Sequence, residues 1–464
     1  MKNTKFLLLK SALFINFMVF AQFGNQQIIS TNANGATAVF AVDIDGDGDI
    51  DIVSASDNDN KIAWFENLDG LGDFSAEHVI STSVQRAMNV FATDIDGDGD
   101  NDILAVSAGE YRAYWFENTD GLGNFSTENL IASNLSFAAS IIALDVDNDN
   151  DMDVVVGAYG DAKVSWFENT DGLGNFGAEN IITTDAGYVR SVFSIDIDGD
   201  GYVDLLSASE EDNKIAWYKN DGAGSFGEQQ NICTDAMGAS DVFAGDIDGD
   251  GDIDVVSASL YDNKIAWYEN IDGAGNFGAA NVLSVDIVYA VAVTVLDVDG
   301  DGDLDVVSAS WLDNKISWFE NLDGLGNFNE EVVISYDTSL PHDVLATDIN
   351  ADNKLDLVSA SYEDDKIAWY KNESNLGLTE NELSDEVRVF PNPSTGKISI
   401  NLKTDDVPHV SLLGLSGRVL LNDVNLSKKS ITSYALDISE WAPAIYWLKI
   451  TLTDRCLYKK VIIR

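Results

Sequence analysis

The chain has 464 residues, with 79 Asp or Glu against 26 Lys or Arg and a formal net charge of −53. So acidic a protein repels a phosphate backbone, which excludes nucleic acid as a partner. Two Cys and three His in the whole chain leave oxygen as the ligand type for any recurring metal site.

The chain opens on MKNTK, and the apolar stretch 6–21 that follows is interrupted only by Lys10, Ser11 and Asn16. This reads as a secretory signal peptide over residues 1–21. It is too short and too broken for a membrane span, and the processed protein is expected not to cross a membrane.

From residue 43 the chain writes D-x-D-x-D-G-x-x-D seven times, at a spacing of 50 or 51 residues. A period of this length marks a repeat architecture whose units bury their faces against one another. In the first copy Asp43, Asp45 and Asp47 stand at positions 1, 3 and 5, Gly48 permits a sharp turn, Asp49 offers its backbone carbonyl and Asp51 closes the loop. Such alternation gathers hard oxygens around one point, the preference of calcium, which takes roughly 6–8 of them. Ordinary acidic turns would place mutually repelling carboxylates together with nothing to neutralise them.

The second copy supplies Asp94, Asp96, Asp98, Asp100 and Asp102, and the third Asp145, Asp147, Asp149, Asp151 and Asp153, with Asn150 at the glycine position. Asn visits left-handed backbone conformations readily, so the third loop should hold its shape. The fourth offers Asp196, Asp198, Asp200, Tyr202 and Asp204. The fifth has Asp246, Asp248, Asp250, Asp252 and Asp254, and the sixth Asp297, Asp299, Asp301, Asp303 and Asp305. The seventh reads Asp348, Asn350, Asp352, Lys354 and Asp356, with Asn353 for Gly, and is expected to be the weakest of up to seven calcium sites.

Each loop joins two short apolar runs, such as AVFAV (38–42) and IVSAS (52–56). A third run follows, as in KIAWFEN from Lys61, then a D-G-x-G hairpin and a fourth run such as FSAEHVIS from Phe74. Four strands per unit and no credible helix predict the blades of a propeller, within an all-β chain. After the seventh such third run no fourth strand follows, whereas FGNQQIIS from Phe23 matches the fourth-strand pattern. The segment 23–30 is therefore expected to complete the last blade and close the ring. The recurring Trp64, Trp115, Trp166, Trp217, Trp267, Trp318 and Trp369 are read as packing between blades, because a residue repeated in every unit at one position serves the repeat.

The calcium loops, the FG turn and the four-strand period resemble the FG-GAP/VCBS repeats of bacterial secreted proteins, related to the integrin α-chain propeller. The resemblance covers residues 23–373 and implies a seven-bladed β-propeller with calcium between the first and second strands of each blade. It implies no single activity.

Past a linker at 374–383 the composition changes. Residues 384–464 carry 11 basic and 8 acidic side chains, and four of the five Pro lie beyond residue 390, while residues 22–383 hold about −59 of the charge. The alternating runs of this segment read by themselves as a small Ig-like β-sandwich. VFPNPSTGKISI (389–400), LLGLSGRVL (412–420), AIYWLKI (444–450) and KKVIIR (459–464) resemble the type A C-terminal sorting domain of the type IX secretion system. That resemblance implies export across a bacterial outer membrane by that machinery, then removal of the domain with release or surface anchoring. Cys233 and Cys456 fall in different domains, so the propeller has no internal disulfide to rely on.

By strand order, the calcium loops and D-G-x-G hairpins share one end of the propeller. The second-to-third-strand loops and the entries into the first strands share the other. That second face varies from blade to blade and offers Arg86, Tyr159, Tyr188, Arg190, Asp241, Tyr261, Tyr289, Trp311, His342, Asp343 and Tyr362. Aromatics beside carboxylates and Arg suit recognition of an extracellular glycan or surface protein. A calcium-rigidified matrix protein without a specific ligand is the alternative, and a polysaccharide-degrading enzyme a further one. Catalysis is not expected: His342 and Asp343 are adjacent on a strand and should point to opposite faces. The protein is expected to be a monomer.

Overall fold

The computed structural model describes residues 23–373 and, beyond them, eight strands: Val387–Phe390, Lys397–Leu402, His409–Leu413, Val419–Leu421, Ser427–Lys428, Ser433–Asp437, Ile445–Thr451 and Cys456–Ile462. The signal peptide expected at 1–21 and the linker expected at 374–383 lie outside the described residues.

Residues 23–373 form seven antiparallel four-stranded sheets. In the first, Ala36–Val42, Asp51–Ser56, Lys61–Phe65 and His78–Ser81 pair in chain order. Five further sheets repeat this order, and the seventh runs Pro341–Thr347, Asp356–Ser361, Lys366–Tyr370 and then Gln27–Ser30 from the other end of the propeller segment. Gln27 pairs with Trp369, and Phe23 bridges Asn372. The first strands contact one another all the way round, Pro341–Thr347 against Ala36–Val42 included, so they line a central axis. Among the described residues the one helical element is a 3-10 turn at Tyr159–Asp161, and no helix is long and apolar enough to cross a membrane.

Second strands such as Asp51–Ser56 are buried along their whole length. A neighbouring blade covers each of their faces, which is why they read as continuous runs of small and apolar residues rather than alternating ones. The core lies between blades: Val53 and Trp64 of the first pack with Val90, Ile103 and Phe116 of the second. All seven repeated Trp are buried, from 1% to 6% exposed. All of these indoles but that of Trp318 meet a hairpin glycine of the following blade; a Cβ added to Gly123 would stand 2.2 Å from the ring of Trp64. The second Gly of D-G-x-G is thus a packing requirement as well as a turn requirement, since Gly123 also has φ +76°.

One polar device recurs in every blade. The last Asp of each loop is buried, and its two oxygens accept two backbone N–H groups: for Asp51, Ile44 at 2.9 Å and Asn67 at 2.8 Å. The same pair of bonds is made by Asp102, Asp153, Asp204, Asp254, Asp305 and Asp356. The Asn it holds then donates its side-chain amide to the preceding blade, as Asn118 does to the Ile44 carbonyl at 2.8 Å. Asn67 closes the circle by donating to Ile349 of the seventh blade at 2.9 Å.

Beyond the propeller, the eight strands form two four-stranded sheets. One orders Val387–Phe390, Lys397–Leu402, Ser433–Asp437 and Ser427–Lys428; the other orders Val419–Leu421, His409–Leu413, Ile445–Thr451 and Cys456–Ile462. Ile398 and Ile400 in the first, and Leu448 and Ile450 in the second, are buried at alternate positions, as expected where one face of a sheet is covered.

Replacing Asn118 by Ala leaves the Ile44 carbonyl and the Gly123 N–H, which it also binds, without partners. Stability in urea should fall by about 2–4 kcal/mol, since each orphaned buried group costs about 1–3 kcal/mol. An unchanged midpoint would show that the amide does not staple the blades.

Candidate functional site

Every first strand runs from one end of the propeller to the other, so its two ends present two different candidate sites. Its C-terminal end enters the acidic loop. In the first loop Asp43 Oδ1 accepts the Gly46 N–H at 2.8 Å and its Oδ2 the Gly48 N–H at 3.0 Å, curling the backbone around the side chain. Gly48 has φ +95°, and Asn150 and Asn353 adopt φ +74° and +64° at the same position of the third and seventh loops. Asp47 accepts the Asp49 N–H, and Asp98, Asp149, Asp250 and Asp301 do likewise two residues on.

The curl gathers carboxylates. Asp43, Asp45 and Asp51 each bring one oxygen within 4.8 Å of the others, and so do Asp94, Asp96 and Asp102, then Asp145, Asp147 and Asp153, then Asp196, Asp198 and Asp204. In the fifth loop the group is Asp246, Asp248 and Asp250. Asp45 Oδ1, Asp147 Oδ1, Asp198 Oδ1 and Asp246 Oδ1 are buried without a hydrogen-bond partner, although the other oxygen of Asp198 pairs with Lys219. An anionic oxygen shielded from water, unpaired and facing like charge is in a position that only a cation relieves. Burial and these neighbours push the carboxyls of Asp45, Asp96 and Asp248 above the ordinary range, and that of Asp299 in the sixth loop to about 7. The donor set fits a hard divalent metal, for which the trio and the nearby backbone carbonyls would be the ligands.

Two positions behave differently. The side chains of Asp49, Asp100, Asp151, Asp252 and Asp303 turn outward against the D-G-x-G hairpin of their own blade, at Gly70, Gly121, Gly172, Gly273 and Gly324, which leaves the backbone carbonyl as what these residues can offer a metal. Tyr202 packs on Gly222 in the same way. In the seventh loop Asn350 donates to Asp356 Oδ2 at 2.7 Å, putting an N–H donor where other loops present an oxygen, while Asp348 and Asp352 accept backbone N–H groups, including that of Lys354.

The N-terminal ends of the first strands surround a cavity of about 430 Å³ on the axis. Arg86, Tyr159, Arg190, Asp241, Trp311, His342, Asp343 and Tyr362, expected from the sequence, all line it. Their rings form two stacked arcs. Arg86 lies over Phe137, which packs at 5.4 Å from Tyr159, and Tyr159 stacks on Tyr188 at 4.4 Å. On the far side Tyr289, Trp311, His342 and Tyr362 follow in turn. The Arg190 guanidinium spans the arcs, 5.5 Å from the ring of Tyr159 and 5.8 Å from that of Trp311. It is fixed by buried Glu210, whose carboxylate also accepts from Tyr159 Oη and Tyr261 Oη. Burial alone would raise Glu210, but the Tyr261 hydroxyl and the Arg190 charge bring it below its usual value. Tyr188, Tyr261 and Tyr289 buttress this wall from outside the cavity rather than lining it.

His342 and Asp343 do not point to opposite faces as their adjacency implied. A β-bulge between Pro341 and Asp343 turns both toward the axis. They are engaged separately: His342 packs between Trp311 and Tyr362, and Asp343 Oδ2 accepts the Val39 N–H of the first blade at 3.0 Å. The bulge recurs in every first strand, and where the residue after it is Asn89, Ser140, Asp241 or Asp343 its side chain bonds the next blade. Asn89 accepts from Ile141, Ser140 from Val192 and Asp241 from Val293. Asn89 and Ser140, with Glu210, Asp57 and Phe137, were not singled out from the sequence, whereas Asp241 was. The signal lay in aligning the seven repeats by register, which places Ala38, Asn89, Ser140, Ser191, Asp241, Ala292 and Asp343 at one position. The residue entering each first strand is held in the left-handed region, as Gly in two blades but as Arg86, Phe137, Tyr188, Tyr289 and Leu340 in five. Gly would fill that turn without strain, so five bulky side chains there are retained against a backbone cost.

A family model described as FG-GAP-like repeat matches six overlapping windows from residue 43 to residue 359, and one described as secretion system C-terminal sorting domain matches residues 388–464. No curated protein sequence matches the chain. Among solved structures it is similar to BBS1N in complex with ARL6DN, soaked with lead, at 11% identity and a TM-score of 0.52, covering 75% of this chain and 96% of that one. A fungal alcohol oxidase of the AA5 family in complex with copper matches at 10% identity and a TM-score of 0.50, covering 95% of this chain and 99% of that one. At such identities the likeness is one of fold alone.

Burial pushes Asp241 up to about 7 and Asp343 to about 6, while burial and the Arg190 charge hold His342 down at about 3. A carboxyl raised in the folded state contributes stability that is complete below its unfolded pKa of about 3.9 and is lost as pH climbs through the folded value. The melting temperature of the metal-loaded chain should therefore fall between about pH 4 and pH 7, with Asp241 responsible for on the order of 4 kcal/mol. Asp241→Asn, which copies Asn89 of the second blade, should flatten that slope; an identical slope in the variant would refute the assignment.

Proposed function

The chain belongs to the FG-GAP-like repeat family, and we propose that its propeller is a calcium-rigidified module that recognises an extracellular glycan or protein through the aromatic mouth of its axial cavity. The sorting domain at 388–464 makes it a secreted or cell-surface protein served by the type IX secretion machinery. The observation that carries the reading is the convergence of Tyr159, Trp311, Tyr362 and the two arginines, from five different blades, on one cavity. Flat rings against which a sugar or an aromatic side chain can stack, with fixed donors and acceptors between them, are what a recognition site of this size requires.

The charges of the mouth support binding rather than catalysis. Arg86 is paired with Asp57 and Arg190 with Glu210, while Asp241 and Asp343 are tied to backbone amides. His342, held at about 3 by burial and the Arg190 charge, is a neutral imidazole at physiological pH and so is no general acid. Each group that chemistry would need is already committed to a neighbour, so the ligand favoured here is a largely uncharged one that stacks.

Calcium is the metal best suited to the loops in this location. Extracellular calcium modules bind at about 10⁻⁴–10⁻³ M, using oxygen ligands of this kind. The loops sit at the end of the propeller opposite the mouth, so metal acts on recognition through the rigidity of the blades.

Thermal unfolding of the protein in calcium and in chelator checks the first half of this reading. Each occupied site adds about 0.4 kcal/mol when free calcium equals its Kd and about 2.7 kcal/mol at a hundredfold excess, so a large fall in melting temperature is expected on chelation. No fall would remove calcium from the account. Screening the calcium-loaded protein on glycan and surface-protein arrays checks the second half. Trp311→Ala should weaken any ligand found by at least about tenfold, given that buried aromatic anchors contribute about 2 kcal/mol or more. Blank arrays would favour a matrix protein without a specific ligand.

A further inference from the structure

We propose that the seven loops are of two kinds: five take a divalent metal, and two, in the fourth and seventh blades, are held by a lysine ammonium in the metal's place. The inference rests on the reading of the loops as metal sites.

The third strand of each blade ends in W-[FY]-x-N, and the variable residue lies beside the loop of its own blade. It is Glu66, Glu117, Glu168, Glu269 and Glu320 in five blades but Lys219 and Lys371 in the fourth and seventh. The lysines are engaged with loop carboxylates. Lys219 Nζ pairs with Asp198, and lies 2.9 Å from Asp200 Oδ2; Lys371 Nζ lies 3.3 Å from Asp352 Oδ2. Asp198 and Asp200 occupy positions 3 and 5, the side chains a divalent ion would need.

The same two loops depart at another position as well. Where the others carry Asp49, Asp100, Asp151, Asp252 or Asp303, these carry Tyr202 and Lys354. Five loop carboxylates and one glutamate give each of five blades a formal −6, whereas the fourth has four carboxylates and one lysine, for −3, and the seventh three carboxylates and two lysines, for −1. Without a cation the first five are strongly self-repelling; the other two are largely neutralised by the chain itself. An ammonium at hydrogen-bonding distance from a carboxylate and a calcium ion, which needs oxygens at about 2.3–2.6 Å, compete for one place and repel each other.

The curl of the fourth loop is nevertheless intact: Asp196 accepts the N–H groups of Gly199 and Gly201 at 2.8 and 2.9 Å, as Asp43 does from Gly46 and Gly48. The backbone curl is thus the same in a loop with a lysine and in one without, so an ammonium in the metal's place is accommodated with no change of loop shape, and on this proposal two blades of the ring keep their loops neutralised whatever the metal supply.

The test counts ions. The whole secreted chain, stripped by chelator, is dialysed to equilibrium against rising calcium until the bound metal per chain, read by elemental analysis, no longer increases. Five ions are expected; any other number overturns the proposal, and none at all overturns the metal reading as well. Lys219→Glu should raise the count by one and Glu117→Lys lower it by one, with circular dichroism verifying the fold of each. If Lys219→Glu folds and gains no ion, the fourth loop is not held by its lysine. Wild-type stoichiometry needs no variant, so it decides even if both variants misfold.

Discussion

The propeller depends on the buried carboxylate that ends each acidic loop. Asp51 and its six counterparts each bind one N–H at the start of their own loop and one at the end of the third strand, so a single side chain ties three segments of a blade. The Asn fixed in this way reaches the preceding blade. Loop, blade and ring are consequently one connected polar structure beneath the apolar faces. It also places the carboxylate within 4.8 Å of Asp43 and Asp45, so the architecture and the candidate metal site share an atom group. A residue that serves both is constrained twice, and burial pushes the Asp51 carboxyl up to about 7.

The opposite end of the molecule is organised by departure from the repeat. The bulge in each first strand delivers two consecutive side chains to the axis, and seven blades deliver seven different pairs. Where the pair is Thr37 or Ser240, a hydroxyl caps carbonyls of its own and the next blade. Where it is Arg190 or His342, a larger side chain enters the cavity and meets Trp311. The same backbone geometry therefore supplies either inter-blade bonding or a recognition surface, depending on the residue placed there. Below the mouth a second cavity of about 350 Å³ continues along the axis past Ser191, Asp241 and Asp343, toward the Phe40–Phe91 and Phe193–Phe243 pairs.

The blades, their number, the loop positions and the closing strand were legible because they repeat: a period of 50 or 51 residues turns a weak local pattern into seven aligned copies. The composition of the mouth was legible too, since strand order alone assigns its residues to one end. What escaped was finer than a strand. Alternation placed His342 and Asp343 on opposite faces, and the bulge that reverses this leaves no mark in the apolar pattern. Glu210 and Asp57 looked like further solvated acids in a chain full of them, and only their contacts with Arg190, Tyr159 and Arg86 set them apart. The Lys219 and Lys371 exchanges stand in plain view within the W-[FY]-x-N motif, but their meaning depends on how close the third-strand end comes to the loop.

The seventh blade, composed from both ends of the propeller segment, ties the fold to the order of synthesis. Gln26 donates to Tyr370 across 344 residues of chain, and Gln27–Ser30 has no sheet to join until Lys366–Tyr370 exists. Loop-closure entropy for so long a separation is large, and contacts of this kind form late in folding. Six blades can assemble from local sequence as they appear, yet the circle stays open until nearly the last propeller residue has emerged. Until then the outer edge of Lys366–Tyr370 and the unpaired strand Gln27–Ser30 are available to other chains. For a protein addressed to the outside of the cell, the moment of closure is thus set by chain topology, since the first strand of the propeller to be synthesised is the last to find its sheet.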